Sequence, residues 1–279
     1  MVRSLLLQWY DERISMNRHY PLLYGLLVSL GFDPKKIVFA LKGLPHYLKN
    51  LKTLKRQEKY ANHKFVFGRP NLCLDDMFLE SGDAKGHYFY QDWLVARRIF
   101  ENNPEVHIDV GSRIDGFVAH VATFRSIRVF DIRPLETNIP TIQFMQGDLM
   151  SSIDNELVDC CDSLSCLHTV EHFGLGRYGD PVQYNGHVMG LNNLYLLLKK
   201  NGKFYFSVPI GPERIEYNAH RVFSLKYLLE LFNGKFQIDH FSLVDDDGQL
   251  HENVPLTKEK ISNNFGCYYG CGIFELTKF

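Results

Sequence analysis

Residues 106–116 read Val106-His107-Ile108-Asp109-Val110-Gly111-Ser112-Arg113-Ile114-Asp115-Gly116, and this stretch decides the fold. The apolar run Val106 to Val110 reads as a short strand. Gly111 and Ser112 let the backbone turn tightly, and a helical pattern opens over Gly116 to Phe124. A strand that turns through small residues into a helix brings backbone amides up against a ligand. Dinucleotide-binding turns do this for pyrophosphate with the spacing G-x-G-x-x-G. That spacing is absent here, because Gly111 is followed by Arg113 and Gly116.

The acid two residues before Gly111 carries the chemical choice. Asp109 is expected at the carboxyl end of the first strand, facing the ligand. An anion there repels pyrophosphate and suits the cationic amino group of a methionine moiety. The turn therefore favours S-adenosylmethionine over NAD.

Outward from this turn, strands and helices alternate. Upstream, His87 to Asp92 leads into a helix over 93–102, with Asp92 as N-cap. Downstream, strands are expected over Ile127 to Phe130, Thr141 to Met145 and Val158 to Cys166. An apolar helix over His187 to Lys200 is expected to stop at Asn201-Gly202. A fifth strand follows over Lys203 to Val208, closed by Pro209, and Ser224 caps a helix reaching Phe232. Phe236 to Val244 and Gly272 to Thr277 complete the set as an antiparallel hairpin at one edge, with no helix between them. Alternation of this kind implies a parallel sheet with right-handed crossovers.

The strand ends carry the candidate site. Asp131, which closes the second strand, is placed to accept hydrogen bonds from both ribose hydroxyls. After the third strand, Asp148 is a candidate for the adenine amine and Leu149 for the ring face. The fourth strand runs into Ser165-Cys166-Leu167-His168-Thr169-Val170-Glu171-His172-Phe173-Gly174, on the side where ligands bind open α/β sheets. A histidine beside a carboxylate is a candidate general base near neutral pH. His172 is the first candidate base, with His168 and His220 behind it. Glu171, Arg177, Tyr178 and Arg221 are candidates for holding the substrate, the middle two within the glycine-rich loop Gly174 to Pro181. The bland alternative is that these residues cap helices and brace loops. His168 and His172 also have the i, i+4 spacing of a zinc pair. No third ligand is evident, so no metal is expected.

Composition excludes several classes. The 279 residues carry a net charge of −1, a hydrophobic fraction of 45% and a charged fraction of 23%. These are soluble globular values with no overall pull toward nucleic acid or membrane. No N/D-P-P-Y/F tetrad follows the fourth strand, so a nucleic-acid substrate is not expected. The six cysteines form no C-x-x-C pair, and read as reduced core thiols of a cytoplasmic protein. Met1-Val2-Arg3 and the short apolar run after it do not read as a signal peptide. Pro21 to Phe32 is too short to span a bilayer, which takes about 20 residues. Residues 1–86 form a helical extension rich in basic residues, including Lys36, Lys42, Lys49, Lys52, Lys55, Arg56 and Lys59. A solvated helix face is the ordinary reading, and weak contact with an acidic membrane surface is the alternative.

Taken together, residues 87–279 resemble the class I S-adenosylmethionine-dependent methyltransferases. More narrowly, Tyr88-Phe89-Tyr90-Gln91-Asp92, the turn Asp109-Val110-Gly111-Ser112 and the run His168 to Pro181 resemble a methyltransferase-like family of bacteria and nematodes without assigned chemistry. Some bacterial members look associated with surface-polysaccharide synthesis. The resemblance implies a Rossmann-like, seven-stranded, mostly parallel sheet, S-adenosylmethionine as cofactor, and cofactor roles for Asp109, Gly111, Asp131 and Asp148. The chain departs from the superfamily's D-x-G-x-G-x-G at Arg113, which replaces the second glycine. The leading expectation is methyl transfer to a hydroxyl or amine of a small acceptor, with a sugar or sugar nucleotide as the favoured class. The alternatives are a non-catalytic methyltransferase-like binding protein, and a nucleotide-sugar glycosyltransferase using Asp245 and Asp247 to hold a metal.

Overall fold

The computed structural model describes residues 21–82 and 84–279. The chain divides into two compact units between Gly82 and Asp83. The reading of Met1 onward as no signal peptide lies outside the described residues. The first unit contains helices α1 (Pro21–Ser29) and α2 (Pro34–Gln57). Lys36, Lys42, Lys49, Lys52, Lys55, Arg56 and Lys59 are solvent-exposed, as are Leu41, Leu48 and Leu54 of α2. Among the described residues, no helix is long and apolar enough to cross a membrane.

The second unit is a mixed α/β sheet. Its strands are β1 (His107–Val110), β2 (Ile127–Asp131), β3 (Ile142–Gln146), β4 (Cys161–Leu167), β5 (Leu198–Ile210), β6 (Arg214–Glu216), β7 (His220–Val222), β8 (Phe236–Val244), β9 (Leu250–His251) and β10 (Gly270–Lys278). The main sheet runs β3-β2-β1-β4-β5-β10-β8-β9, and β6 pairs with β7 in a separate ribbon. β3, β2, β1, β4 and β5 are parallel, and β10 is antiparallel to both β5 and β8. The expected seven strands are therefore present as a Rossmann-like sheet, with two-residue β9 added outside β8. The final strand slots between β5 and β8, and a short helix, Lys258–Ser262, lies in the connection read as helix-free.

Period-two burial holds the layers together. In β5, Phe204 and Phe206 face one core with Leu191, Leu194, Leu228 and Phe232. Tyr205 between them faces the other, with Val95, Ile99, Phe117 and Val121. Helices thus cover both faces, as a parallel sheet requires. Each fully buried Phe or Leu contributes about 1.5–3 kcal/mol relative to exposure.

Three expected boundaries are corrected. The helix before β1 is α3 (Gly86–Asn102), so Asp92 is no N-cap but a buried mid-helix residue. The aromatic run His87 to Tyr90 simply continues the helix. The helix after the glycine turn is an irregular turn over Ile114–Val118 followed by the short α4 (Ala119–Ala122). The next helix, α5 (Gly186–Leu197), stops before Leu198, where β5 begins. Asn201 does adopt the left-handed conformation (φ 63°), but within a register shift between β4 and β5 rather than at a helix end. The Ser224 cap is as read: its hydroxyl accepts from the Tyr227 amide at the start of α6 (Leu225–Phe232).

Candidate functional site

The strand order reverses between β1 and β4, and an open α/β sheet offers its ligand crevice at such a point. A cleft of about 570 Å³, open to solvent on one side, lies there. It is lined by Val110 and Gly111 from the end of β1, Phe130 to Arg133 from β2, and Gly147 to Met150 from β3. His168, Thr169, His172 and Phe173 after β4, with Tyr178 and Asp180 from the following loop, close the other side. Of the expected site residues, Gly111, Asp131, Asp148, Leu149, His168, His172 and Tyr178 meet at this cleft.

Gly111 sits at φ +73°, and its amide donates to the Phe130 carbonyl at 2.9 Å. A Cβ there would lie 2.3 Å from Thr169 Cγ2, so a side chain is sterically excluded. Asp109, expected to face the ligand, instead lies fully buried beneath the turn and outside the cleft lining. Its carboxylate accepts from Ser112 N at 3.1 Å, Ser112 Oγ at 2.8 Å and Ser165 Oγ at 2.6 Å. Burial pushes its pKa up to about 7, against the pull of those serine hydrogen bonds.

Because Ser165 donates its only proton to Asp109, His107 must donate to Ser165 from Nε2 (3.1 Å). The neutral ring then accepts from Ser163 Oγ at Nδ1 (2.8 Å). Burial lowers the His107 pKa to about 3, which keeps the ring neutral. The turn thus rests on a buried relay, His107–Ser165–Asp109–Ser112. Its sequence signal was the pair of serines, Ser163 and Ser165, at alternate positions of β4.

Asp131 keeps its carboxylate at the cleft, but Arg133 engages it twice: Nε to Oδ1 at 3.1 Å and Nη2 to Oδ2 at 2.7 Å. The Arg133 guanidinium also lies 4.6 Å from the Tyr178 ring centre, bridging β2 to the loop. Sequence reading did not single out Arg133. Asp148 Oδ1 accepts from the Met150 amide, fixing the turn that presents Leu149. Arg113, the departure from the glycine pattern, is exposed and ion-paired with Asp115 at 2.8 Å, turned away from the cleft.

Beyond β4 the two histidines differ. His172 Nδ1 donates to the Ala219 carbonyl at 2.6 Å, which fixes the tautomer and leaves an Nε2 lone pair. Burial lowers its pKa. His168 Nδ1 is 2.7 Å from Glu171 Oε1, both side chains being buried. Burial works against charge on His168, yet Cys271 and the Glu171 carboxylate beside its ring hold its pKa well above the ordinary value. Its Nε2 makes no hydrogen bond. Donor atoms of His87, His168 and Cys271 lie within 4.8 Å of one another, a grouping not foreseen from the i, i+4 spacing of His168 and His172.

Several expected substrate residues are used to build the loop. Arg221 is buried, and its guanidinium donates to the carbonyls of Phe173 (2.6 Å) and Tyr184 (2.9 Å). Arg177 is exposed and donates to Ala219 O at 3.1 Å. Glu171 is buried beside His168, outside the cleft lining. His220 pairs with Glu216 at 3.3 Å and packs on Tyr269, also outside the lining. Asp180, at the end of the glycine-rich loop, gathers the amides of Gly174, Gly176 and Tyr178 and so shapes it. Asp245 accepts from Asp247 N, Gln249 N and His251 Nε2 in the tight connection between β8 and β9, away from the cleft.

A family described as a Caenorhabditis protein of unknown function, DUF268, matches residues 139–265, less than half of the chain. No curated protein sequence matches. Among solved structures, the [4+2]-cyclase SpnF is 13% identical, with 71% of this chain and 85% of that one covered at a TM-score of 0.49. The N-methyltransferase NodS from Bradyrhizobium japonicum, in complex with S-adenosyl-L-homocysteine, is 9% identical, with 69% and 88% covered at 0.45. The 1,6-didemethyltoxoflavin-N1-methyltransferase of Burkholderia thailandensis, with bound 1,6-didemethyltoxoflavin and S-adenosylhomocysteine, is 14% identical, with 67% and 78% covered at 0.46.

Proposed function

We propose that residues 87–279 form an S-adenosylmethionine-binding domain and that the protein transfers a methyl group to a small acceptor, with sugar-type hydroxyls as the first class to test. The observation that carries this reading is the cleft itself. A glycine with no room for Cβ, a carboxylate at Asp131, and Asp148-Leu149 end β1, β2 and β3 in turn around one crevice. These residues fit the cofactor: Gly111 admits close backbone approach, Asp131 retains acceptor capacity beside Arg133, and Leu149, Ile132 and Phe130 supply apolar wall. Asp109 would act indirectly, by holding Ser112 and hence the turn.

The bound cofactor supplies an activated methyl group, so this chain's residues need only align the acceptor and take its proton. His172 is suited to the proton. Its Nδ1–H is committed to Ala219 O, Nε2 carries the lone pair, and the side chain borders the cleft. His168, held toward its charged form, is the poorer base. No observation favours the glycosyltransferase alternative, since the Asp245 carboxylate is spent within the β8–β9 connection, outside the cleft lining.

Calorimetric titration with S-adenosylmethionine and S-adenosylhomocysteine tests the proposal, with Asp131→Ala as control. Binding by the wild type, lost in the variant, supports it. Absence of binding to the wild type overturns it.

A further inference from the structure

We propose that His87, His168 and Cys271 form a binding site for a zinc-class divalent cation at the end of the cleft, through two imidazole nitrogens and one thiolate. The donor atoms converge from three distant parts of the chain: the first turn of α3, the residue after β4, and the second residue of β10. All lie within 4.8 Å of one another. One thiolate and two imidazoles form a borderline-soft set that suits Zn²⁺ or Co²⁺ and disfavours Mg²⁺ or Ca²⁺.

The surroundings support a ligand role. A metal-binding histidine commonly gives its other ring nitrogen to a carboxylate or a backbone carbonyl, which fixes tautomer and orientation. The first of these is present. His168 holds Glu171 Oε1 at 2.7 Å through Nδ1, which leaves Nε2 as its free donor. That Nε2 is buried, in a side chain only 3% exposed, and makes no hydrogen bond. A buried polar atom without a partner is costly, and a cation satisfies it. Asp246 accepts from the amides of Tyr268 and Tyr269 at 2.8 and 2.9 Å, which fixes the chain leading into Cys271.

A Cys271–His168–Glu171 nucleophilic triad accounts for the grouping less well. Cys271 is fully buried, so no substrate carbon reaches its sulfur, and a triad gives His87 no part. On binding, bonds form from the cation to Sγ and to one nitrogen of each imidazole, and the thiol proton and the Nε2 proton of the charged His168 leave to solvent. Three protein ligands leave a fourth position for water or an acceptor atom, and His168 is the ligand shared with the cleft. The site does not depend on the methyl-transfer reading.

The test uses the full-length protein, stripped with chelator and dialysed against Zn²⁺ or Co²⁺. The expected result is one equivalent of Zn²⁺ by elemental analysis, and with Co²⁺ a near-ultraviolet thiolate-to-cobalt charge-transfer band. Cys271→Ser should abolish the band and His87→Ala the stoichiometric binding, while Glu171→Gln weakens affinity by about 10–100-fold. Cys267→Ser should leave all of these unchanged. His87 is only half-buried, so its variant remains informative if Cys271→Ser fails to fold. Absence of stoichiometric Zn²⁺ in the wild type overturns the proposal. So does a cobalt spectrum without a sulfur band, or a band that persists in Cys271→Ser.

Discussion

Substituting Gly111 by alanine tests the turn on which the cleft is built. Two costs are separable in the structure. Placing an L-residue at φ +73° costs about 1–2 kcal/mol. The added Cβ would meet Thr169 Cγ2 at 2.3 Å and Oγ1 at 2.9 Å, and overpacking of this kind costs about 1–3 kcal/mol. Lower entropy of the unfolded chain returns about 0.4–1 kcal/mol. The expected net loss is about 2–4 kcal/mol, or roughly 5–15 °C in Tm for a unit of this size. Thr169→Ala removes both clashing atoms, though alone it loses the hydroxyl's bond to Leu167 O. In that background the packing part should vanish, leaving about 1 kcal/mol for the backbone and a coupling energy of about 1–3 kcal/mol between the sites. Denaturant unfolding of the four proteins reads this cycle. A Gly111→Ala variant as stable as wild type refutes the reasoning, as does a loss that Thr169→Ala does not relieve.

Three further outcomes are expected. The buried Asp109 has its folded pKa raised to about 7, so the folded state holds that proton more tightly than the unfolded chain. Its contribution is therefore lost as pH rises from about 4 to about 7, by on the order of 4 kcal/mol, and Asp109→Asn should flatten that part of the stability profile. Unfolding free energies at several pH values check this, and an unchanged profile would count against the burial argument. Arg221→Lys cannot fork between the Phe173 and Tyr184 carbonyls, so it should destabilise by about 1–3 kcal/mol and expose residues 174–181 to protease. Limited proteolysis reads that loss, and wild-type resistance would show that the fork is dispensable. If His172 takes the acceptor proton, His172→Gln should lower kcat by about 10²–10⁴-fold. Because burial lowers its pKa, activity should fall only on the acid side of ordinary histidine titration, and a pH–rate profile locates that limb.

What was legible in the sequence was local. The period-two runs, the glycine after β1 and the acid ending β2 each signal through neighbouring residues, and the parallel sheet follows from the alternation of strands and helices. What was not legible depends on partners far along the chain. Asp109 was expected to face a ligand, but the hydroxyl of Ser165 turns it inward, and nothing near Asp109 announces that neighbour. Arg221 looked free for substrate until the carbonyls of Phe173 and Tyr184 folded against it. Asn201-Gly202 shows a subtler failure. The pair reads as a helix stop; Asn201 is left-handed, but that conformation serves a helix end or a strand irregularity alike, and only the pairing of β4 with β5 decides between them.

His168 brings these threads to one residue. Its backbone is left-handed, φ +48°, immediately after β4. Such a conformation stores strain, and it persists only where the surroundings impose it. They do so here from two elements. The His168 amide donates to Ser207 O at 2.9 Å, the Ser207 hydroxyl donates to Gln91 Oε1 at 2.6 Å, and Gln91 Nε2 donates to Asp92 Oδ1 at 3.1 Å. Glycine would meet that backbone demand without strain, so the histidine is accounted for by its ring rather than by its φ. The ring borders the cleft on one side and presents a bare, buried nitrogen to Cys271 and His87 on the other. A residue strained in its backbone, fixed through β5 and α3, and unsatisfied at one side-chain atom is organised for something that the protein chain alone does not provide.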